Sequence, residues 1–356
     1  MFDNGKTTSS KETPDVIIVG YSNNLQGGIT QVTKSLLESM PQIKLHNALY
    51  CYSPKYKAFL FYFYGVISFF FKIFFSFNKP VIHLIIGSKG DLVRIIPYIM
   101  LSKIRRLPLC SQYHYSSEIL FSNESNNHFK KLQLKVLSAI DVHCFLSKKL
   151  CEKYNELAPF DSKTVVIKNL LPQKWLGLNI LNFRERNQDV VFFGRWCKEK
   201  GIEVLLKASI DLKETVKFDF YTNHLHQESY SNCTFNSWVD EDTAISIMKS
   251  AKLLILPSYA EAYPTVLIEA LACGTPFIST DIAGIPDIAN ESNGGVIVQP
   301  GDIEEITSNI TKLLSDEALW NKMSLSGYEW VNEYHSVEKI KIEWCELYKS
   351  ISTYHS

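Results

Sequence analysis

The segment KLLILPSYAEAYPTVLIEALACGTP, residues 252–276, indicates the fold most clearly. Its apolar first third predicts a strand, a short loop follows, and a helix is predicted over Pro264–Cys273. Pro264 suits the first position of a helix, where a missing N–H costs nothing. Gly274 suits the C-terminal stop of the same helix. A strand that leads into a capped helix is the repeating unit of an α/β protein with parallel sheets.

The chain opens a strand–glycine loop–helix pattern twice. Val16–Gly20 (VIIVG) precedes a Gly-containing loop and a stretch with apolar residues at helical spacing. Asp189–Gly194 (DVVFFG) precedes a loop and the helical stretch Ile202–Ile210. Two such openings predict two Rossmann-like domains, joined by a linker around Leu170–Arg186. Because ligands bind beyond the carboxyl ends of strands in such sheets, we expect the site in the cleft between the domains.

The charge of the chain is unevenly distributed. Of its 356 residues, 46% are hydrophobic and 21% are charged, which is typical of a folded globular protein. Residues 1–150 hold 18 Lys/Arg against 8 Asp/Glu, a net of +10, and the remainder holds 19 against 29, a net of −10. A basic first half indicates an anionic partner such as phospholipid or phosphate. It lacks the dense Lys/Arg runs of nucleic-acid-binding proteins, so we expect no nucleic acid partner.

The cysteines and the first residues bear on the cellular compartment. Eight cysteines are scattered along the chain, with no C-x-x-C pair and no histidine at zinc-ligand spacing. In a chain of this length they indicate buried thiols in a reducing compartment. The first 15 residues, MFDNGKTTSSKETPD, are polar and predict no signal peptide. These features predict a protein that is exposed to the cytoplasm.

One segment of the first half is unusually apolar. Ala58–Phe77 (AFLFYFYGVISFFFKIFFSF) is interrupted only by Lys72 and is long enough to span a bilayer. A span would split the first domain across two compartments. The alternatives are a helix partly buried in the core and a helix that lies in the membrane interface, flanked by lysines. We favour the interfacial helix, and a second basic helix, Leu92–Leu107, would extend the same surface.

Two motifs offer the charges that a nucleotide diphosphate requires. The loop Gly194–Gly201 (GRWCKEKG) follows a strand, and its Arg195 and Lys200 supply fixed positive charge for two phosphates. The second motif is the 252–276 segment. The helix predicted in it presents the free N–H groups of Thr265 and Val266, which favour an anion at the start of that helix.

Two carboxylates flank the start of that helix. Glu269 lies one turn into it, where a carboxylate can accept two hydrogen bonds from a ribose diol. Glu261 precedes the helix and is placed to touch a transferred sugar. Asp240-Glu241-Asp242 mimics a metal-binding Asp-x-Asp, but it stands just before a helix and suits an N-terminal cap. We therefore expect no bound metal and no cofactor.

Together the motifs resemble those of the family 4 retaining glycosyltransferases of the GT-B fold, of the type that builds bacterial surface polysaccharides. The Gly-Arg…Lys-Gly loop and the Glu-x7-Glu element Glu261–Glu269 carry the resemblance. It is specific over about 185–290 and softer, though collinear, elsewhere. Ala262 and Tyr263 stand where the family usually has Gly and Phe.

The resemblance implies a role for each residue of the two motifs. Arg195 and Lys200 would bind the donor diphosphate, Glu269 would bind the ribose, and Glu261 would bind the donor sugar. The residues implied at the donor are Arg195, Lys200, Glu261, Tyr263, Thr265, Val266 and Glu269.

In the first domain the resemblance covers two further features. Gly27 and Gly28 match the acceptor-side glycine loop of the family. His114, in SQYHYSSE, matches a histidine at a strand end near the reacting sugar, although a lone histidine is more often a core residue, as we expect for His83. The implied catalytic residues are Glu261, His114, Arg195 and Lys200.

The resemblance also implies a domain plan. Residues 1–172 would form an acceptor-binding, membrane-facing domain and 173–335 the domain that binds the nucleotide sugar. Residues 336–356 would be a last helix that packs back toward the first domain. The implied location is cytoplasmic, peripheral on the inner face of the plasma membrane.

The implied reaction is the retaining transfer of a hexose or N-acetylhexosamine. Its donor would be a nucleotide-diphosphate sugar, with UDP favoured over GDP, and its acceptor a glycan or a polyprenyl-diphosphate-linked glycan. The product would belong to surface polysaccharide synthesis, as in O-antigen lipopolysaccharide or capsule. A nucleotide-sugar epimerase of GT-B fold and a non-catalytic, membrane-bound sugar-binding protein stay as alternatives. A dinucleotide oxidoreductase is disfavoured because no G-x-G-x-x-G follows either first strand.

Overall fold

The computed structural model describes residues 13–21, 28–49, 55–88, 90–115, 134–157, 162–223 and 230–354. Within these ranges the chain forms two parallel six-stranded sheets with helices packed against them. This confirms the predicted α/β fold with two Rossmann-like halves.

The first sheet has the strand order β2-β1-β3-β4-β5-β6, and every described pair is parallel. Its inner strands are buried almost throughout, as expected when helices cover both faces of a sheet. The strands are β1 Val16–Tyr21, β2 Ile43–Leu49, β3 Val81–Ile86, β4 Leu109–Tyr113, β5 Val142–Phe145 and β6 Lys163–Val166. The helices described alongside them are α1 Gly28–Ser39, α2 Lys55–Phe74, α3 Asp91–Arg94, α4 Ile96–Ile104 and α5 Lys148–Leu157.

The second sheet has the order β12-β11-β10-β7-β8-β9 and is also parallel. Its strands are β7 Gln188–Phe193, β8 Phe218–Thr222, β9 Cys233–Ser237, β10 Ala251–Leu256, β11 Phe277–Thr280 and β12 Gly295–Val298. The helices that follow the linker are α6 Ile202–Asp211, α7 Glu241–Ser250, α8 Thr265–Ala272, α9 Ile285–Ser292, α10 Ile303–Ser315, α11 Glu317–Tyr334 and α12 Val337–Tyr354.

The strand orders determine where ligands can bind. In the second sheet the chain moves outward in one direction after β7 and in the other after β10, and these two strands are neighbours. In the first sheet β1 and β3 have the same relation. A crevice opens at such a switch point, beyond the carboxyl ends of the two strands. The loops after β7 and β10 are therefore placed to hold ligands, as is the start of α1, the first part of the chain described after β1.

Most predicted elements differ from the structure by one to three residues at their ends. The prediction of one helix over Leu92–Leu107 is wrong, because the chain forms α3 and α4 with a break at Ile95. Pro97 is the second residue of α4, and it has no N–H to continue the hydrogen bonding of the preceding turn.

The C-terminal helix α12 packs against the first sheet. Trp344 and Tyr348 are buried there beside β1 and β3, and the Tyr348 hydroxyl lies 2.8 Å from Nδ1 of His83. His83 is fully buried, which confirms its predicted place in the core.

Two segments cross between the sheets and are joined to each other at His335. The Leu171 N–H donates to the carbonyl oxygen of His335 at 3.2 Å. Nδ1 of His335 lies 2.6 Å from the carbonyl oxygen of Asn169. Because burial lowers the pKa of His335 to about 3, the ring is neutral at pH 7 and Nδ1 carries the donated proton.

Candidate active site

The loops after β7 and β10 meet at the switch point of the second sheet. The carbonyl oxygen of Glu199 accepts the backbone N–H of Tyr259 at 2.8 Å and of Ala260 at 3.3 Å. Gly201 has a φ of +68°, and a Cβ there would lie 1.9 Å from the carbonyl oxygen of Pro257. Only glycine permits this approach in this backbone conformation. The loop that carries Arg195 and Lys200 is thus fixed against the loop that carries Glu261.

Lys200 and Glu261 are in direct contact. The ammonium of Lys200 donates to Oε1 of Glu261, and Oγ of Ser258 donates to the same oxygen at 3.0 Å. The two charged side chains are only 18% and 11% exposed. A cation suited to a phosphate and a carboxylate suited to a sugar hydroxyl therefore lie together in a partly desolvated position. Arg195, at the other end of its loop, is exposed.

The N-terminus of α8 faces the N-terminus of α1. Pro264 is the N-cap with extended backbone, so the helix begins at Thr265, one residue later than predicted. The first N–H groups of a helix have no partner within the helix, so those of Thr265 and Val266 are available to an anion. A Cβ on Gly28 would lie 3.3 Å from Oγ1 of Thr265. The start of α1, where an acceptor is predicted, therefore lies across the cleft from the start of α8, where a donor is predicted.

Glu269 lies one turn into α8 and is partly buried. Burial, followed by the negative charge of Glu241, raises its pKa to about 7, and a hydrogen bond from Thr265 opposes this rise. At neutral pH the carboxyl group is therefore divided between its protonated and ionised forms. The ionised form accepts hydrogen bonds on both of its oxygens, whereas the protonated form presents an O–H donor on one of them.

His114 directly follows β4, and its backbone N–H donates to the carbonyl oxygen of Ile86 at 2.8 Å. Burial lowers its pKa to about 4, so the imidazole is neutral at physiological pH. Its Nε2 is buried and has no hydrogen-bond partner among the residues that the structure describes. A buried polar atom without a partner is costly, and a substrate hydroxyl would satisfy it.

For two predicted site residues, Gly27 and Tyr263, the structure shows no side chain in the cleft among the residues that it describes. Gly27 lies outside the described residues, whereas Gly28 is the first residue of α1. The Tyr263 side chain is 5% exposed, and its ring lies 6.2 Å from the ring of His335. The side chain thus packs against the crossing segments, and Tyr263 would reach a donor through its backbone.

Several contacts across the cleft have no signal in the sequence. Oδ2 of Asp287 accepts the backbone N–H of Lys149 at 2.8 Å, and Nζ of Lys149 lies 2.6 Å from Oδ1 of Asp281. These partners are 138 and 132 positions apart, which no local pattern reveals. They join the first turn of α5 in the first domain to the segment around α9 in the second.

The Asp240–Asp242 run has two functions in the structure. The Asp240 side chain accepts the backbone N–H of Thr243 at 2.9 Å, which confirms the predicted cap of α7. The Glu241 side chain instead reaches across to the first domain, which the cap interpretation missed. In the part of the chain that the structure describes, no group of three or more His, Cys, Asp or Glu side chains is placed to hold a metal ion.

The two halves and their cleft define a GT-B protein. Sucrose-phosphate synthase from Thermosynechococcus elongatus has the same fold, with a TM-score of 0.75 and 19% identity over 96% of this chain and 99% of that one. Anabaena HepE, solved in complex with UDP-glucose, gives a TM-score of 0.72 and 15% identity over 94% of this chain and 99% of that one. Residues 187–316 match the family model for glycosyl transferases group 1. This part of the chain is therefore similar to the group 1 glycosyltransferases, and the two sheets have the GT-B fold.

Curated relatives are also named as glycosyltransferases or as sugar-conjugate synthases. An uncharacterised glycosyltransferase of Methanocaldococcus jannaschii is 25% identical over 70% of this chain and 71% of its own length. N-acetyl-alpha-D-glucosaminyl L-malate synthase of Bacillus anthracis is 31% identical over 61% and 53%. N,N'-diacetylbacillosaminyl-diphospho-undecaprenol alpha-1,3-N-acetylgalactosaminyltransferase of Campylobacter jejuni is 22% identical over 65% and 58%. The chain thus spans little more than half the length of two of these relatives.

Proposed function

We propose that the protein is a retaining glycosyltransferase that transfers a hexose or N-acetylhexosamine from a UDP-sugar to a lipid-linked glycan during surface polysaccharide synthesis. The observation that carries the proposal is the Lys200–Glu261 pair in the loops beside α8, whose first residue, Thr265, lies across the cleft from Gly28. A cation suited to a phosphate, a carboxylate suited to a sugar hydroxyl and the start of α1 thus border the same cleft.

The chemistry follows from the charges that change during transfer. As the glycosyl bond breaks, negative charge develops on the diphosphate. Lys200, Arg195 and the N-terminus of α8 stabilise this charge without having to reorient. The acceptor hydroxyl attacks from the same face, and the leaving phosphate takes its proton. Glu261 accepts a hydrogen bond from one hydroxyl of the donor sugar. The buried Nε2 of the neutral His114 imidazole forms a hydrogen bond with another hydroxyl of that sugar.

The named relatives support the donor and the acceptor. HepE has been solved with UDP-glucose, which favours a uracil nucleotide for a protein of the same fold. The Campylobacter relative is named for an acceptor on undecaprenyl diphosphate. A lipid of that kind stays in the membrane, so the enzyme that extends it must reach the membrane surface.

The helix α2 supports attachment to that surface. It is the one helix in the described ranges that is long and apolar enough to cross a membrane, judged by length and composition. One stripe is buried: the ring of Phe69 packs 5.3 Å from His46 and 5.0 Å from Tyr98, and Ile73 is fully buried. The rest of the helix carries exposed apolar side chains, among them Phe59, Leu60, Phe63, Tyr64, Ile67 and Phe71.

This arrangement favours a helix that lies in the interface. A helix that spans the membrane would lose the contacts of Phe69 with its own domain. A helix buried in the core would not expose so many aromatic rings. Lys57, Lys79 and Arg106 are exposed and can face anionic headgroups. The second basic segment contributes less than its sequence indicates, because Lys103 pairs with Asp141 and Arg105 donates to the carbonyl oxygen of Ser76.

A donor panel tests the proposed chemistry. The protein is incubated with several UDP- and GDP-sugars and with vesicles that contain a polyprenyl-diphosphate-linked sugar, and products are identified by mass spectrometry. We expect one UDP-sugar to extend the lipid by one sugar residue, and Glu261→Gln to abolish the extension while UDP still binds. A donor converted to its epimer without transfer would establish the epimerase alternative. Binding of sugar without either reaction would establish the non-catalytic one.

A further inference from the structure

Glu241 is the meeting point of three separate parts of the chain. Its Oε1 accepts Nε2–H of Gln31 at 2.9 Å and the indole N–H of Trp175 at 2.6 Å. Its Oε2 lies 2.7 Å from the ammonium of Lys174. The Glu241 side chain is 29% exposed, so these contacts are partly shielded from water.

Each of these partners has a defined place around the cleft. Gln31 is in the first turn of α1, three positions after Gly28, which faces Thr265 of α8. Lys174 and Trp175 form a turn of the linker between the two sheets, and the Trp175 side chain is buried. Glu241 itself begins α7 in the second domain. One carboxylate therefore joins the acceptor-side helix and the linker to the donor half.

We propose that Glu241 is a positioning residue, which holds the first turn of α1 and the linker in register with the donor-side helix α8. This inference rests on the proposed function only for its consequence, that the acceptor meets the donor at the correct place. The contacts themselves exist in the protein without any substrate. Glu241 is the described hydrogen-bond partner of Gln31 in the second domain, so its removal takes away this bond between α1 and that domain.

The charge of Glu241 also acts on the donor half. The pKa of Glu269 is raised to about 7 by burial and then by Glu241, and a hydrogen bond from Thr265 opposes the rise. Cys273, the residue that follows α8, adds no charge, because burial raises its pKa to about 12. Lys174 offsets part of the negative charge of Glu241. A neutral residue at position 241 should therefore lower the pKa of Glu269.

Three variants separate the two effects. Glu241→Ala removes both the hydrogen bonds and the charge. Glu241→Gln keeps a carbonyl oxygen for Trp175 and Gln31 but removes the charge. Asp242→Asn is the matched control, because Asp242 also contacts Lys174, at 3.0 Å, but is 86% exposed and belongs to no contact across the cleft.

The variants are compared by the exchange rates of their backbone amides and by their affinity for UDP. We expect backbone amides of 28–39 and 173–175 to exchange at least about threefold faster in Glu241→Ala, and near the unmodified rate in Glu241→Gln and Asp242→Asn. UDP affinity is measured by calorimetry as the pH is lowered. In both Glu241 variants the loss of affinity should occur at a lower pH than in the unmodified protein. A role confined to folding would not move this pH dependence.

The outcomes decide between the inference and the proposed function. Unchanged exchange in α1 and the linker of Glu241→Ala would overturn the positioning role. Equal acceleration in Asp242→Asn would overturn it too, because that would trace the effect to Lys174 alone. If UDP binds none of the proteins, the proposed donor site is wrong, while the exchange data still decide the role of Glu241.

Discussion

At the scale of single residues, Lys200 is the site residue whose position is most tightly constrained by its neighbours. Its ammonium contacts Glu261, and its loop is fixed by the close approach of Gly201 to Pro257. Loss of one preorganised charge-stabilising group lowers turnover by about 10²-fold or more. We expect this loss for Lys200→Ala and for Arg195→Ala, measured as turnover with a confirmed donor. Lys198→Ala, an exposed lysine of the same loop, is the control that should stay near normal. Near-normal activity of both test variants would refute the phosphate assignment.

The Glu269 carboxyl group predicts a pH dependence. Its pKa is raised to about 7, so it is ionised above this pH and protonated below it. Since the ionised form accepts both ribose hydrogen bonds, UDP affinity should fall about fivefold to tenfold between about pH 8 and about pH 6. The phosphates of UDP titrate in the same range, so Glu269→Gln is the necessary comparison. A profile that is the same in this variant and in the unmodified protein would remove Glu269 from the ribose site.

At the scale of elements, the loop after β7 depends on Gly201. Gly177 offers a matched comparison, because its φ of +65° is similar but a Cβ there would meet nothing within 4 Å. Gly177→Ala should lower the free energy of unfolding by about 1–2 kcal/mol from its backbone conformation alone. Gly201→Ala should cost more, because the backbone of Pro257 must move, and it should also weaken UDP binding. Equal losses of stability and unchanged UDP binding would show that the loop tolerates displacement.

The helix α2 predicts reversible membrane binding. Exposed aromatic side chains supply apolar area, and each nearby Lys or Arg adds about 1 kcal/mol against anionic lipid. Binding to anionic vesicles in co-sedimentation should weaken as salt is raised, and Phe63→Asp with Phe71→Asp should abolish it. Leu325→Asp, a charge added at an exposed position of α11, is the control. Retention that salt does not weaken would indicate a span, and absence of binding would refute the membrane proposal alone.

The elements were predictable where local chemistry specifies them. Pro264 and Gly274 bracket α8 within one residue of its observed ends, because a cap and a positive φ are properties of single positions. Pro97 is a comparable local signal, which the prediction of one helix over Leu92–Leu107 does not take into account. The contacts of Glu241 and Asp287 were not predictable, since each joins parts of the chain that only the folded structure brings together.

At the scale of the whole molecule, two sheets and two crossing segments form one cleft. The loop after β7 contacts the loop after β10, which leads into α8, and the start of α8 lies against the start of α1. The family match extends over 187–316, on the donor side. Residues before 187, among them the exposed aromatic helix α2, lie outside this match. We expect the identity of the acceptor to depend on the first domain, where the sequence motifs are weakest.

The most direct test of the central claim is the anomeric configuration of the product. The UDP-sugar that the donor panel selects is incubated with its acceptor in excess EDTA, and the new linkage is assigned by NMR. An α-linked sugar from the α-configured donor is the predicted result, formed without added metal because Lys200, Arg195 and the helix N-terminus stabilise the diphosphate. Complete loss of transfer that Mg²⁺ or Mn²⁺ restores would overturn metal independence. A β-linked product would contradict the retaining mechanism that we propose for this site.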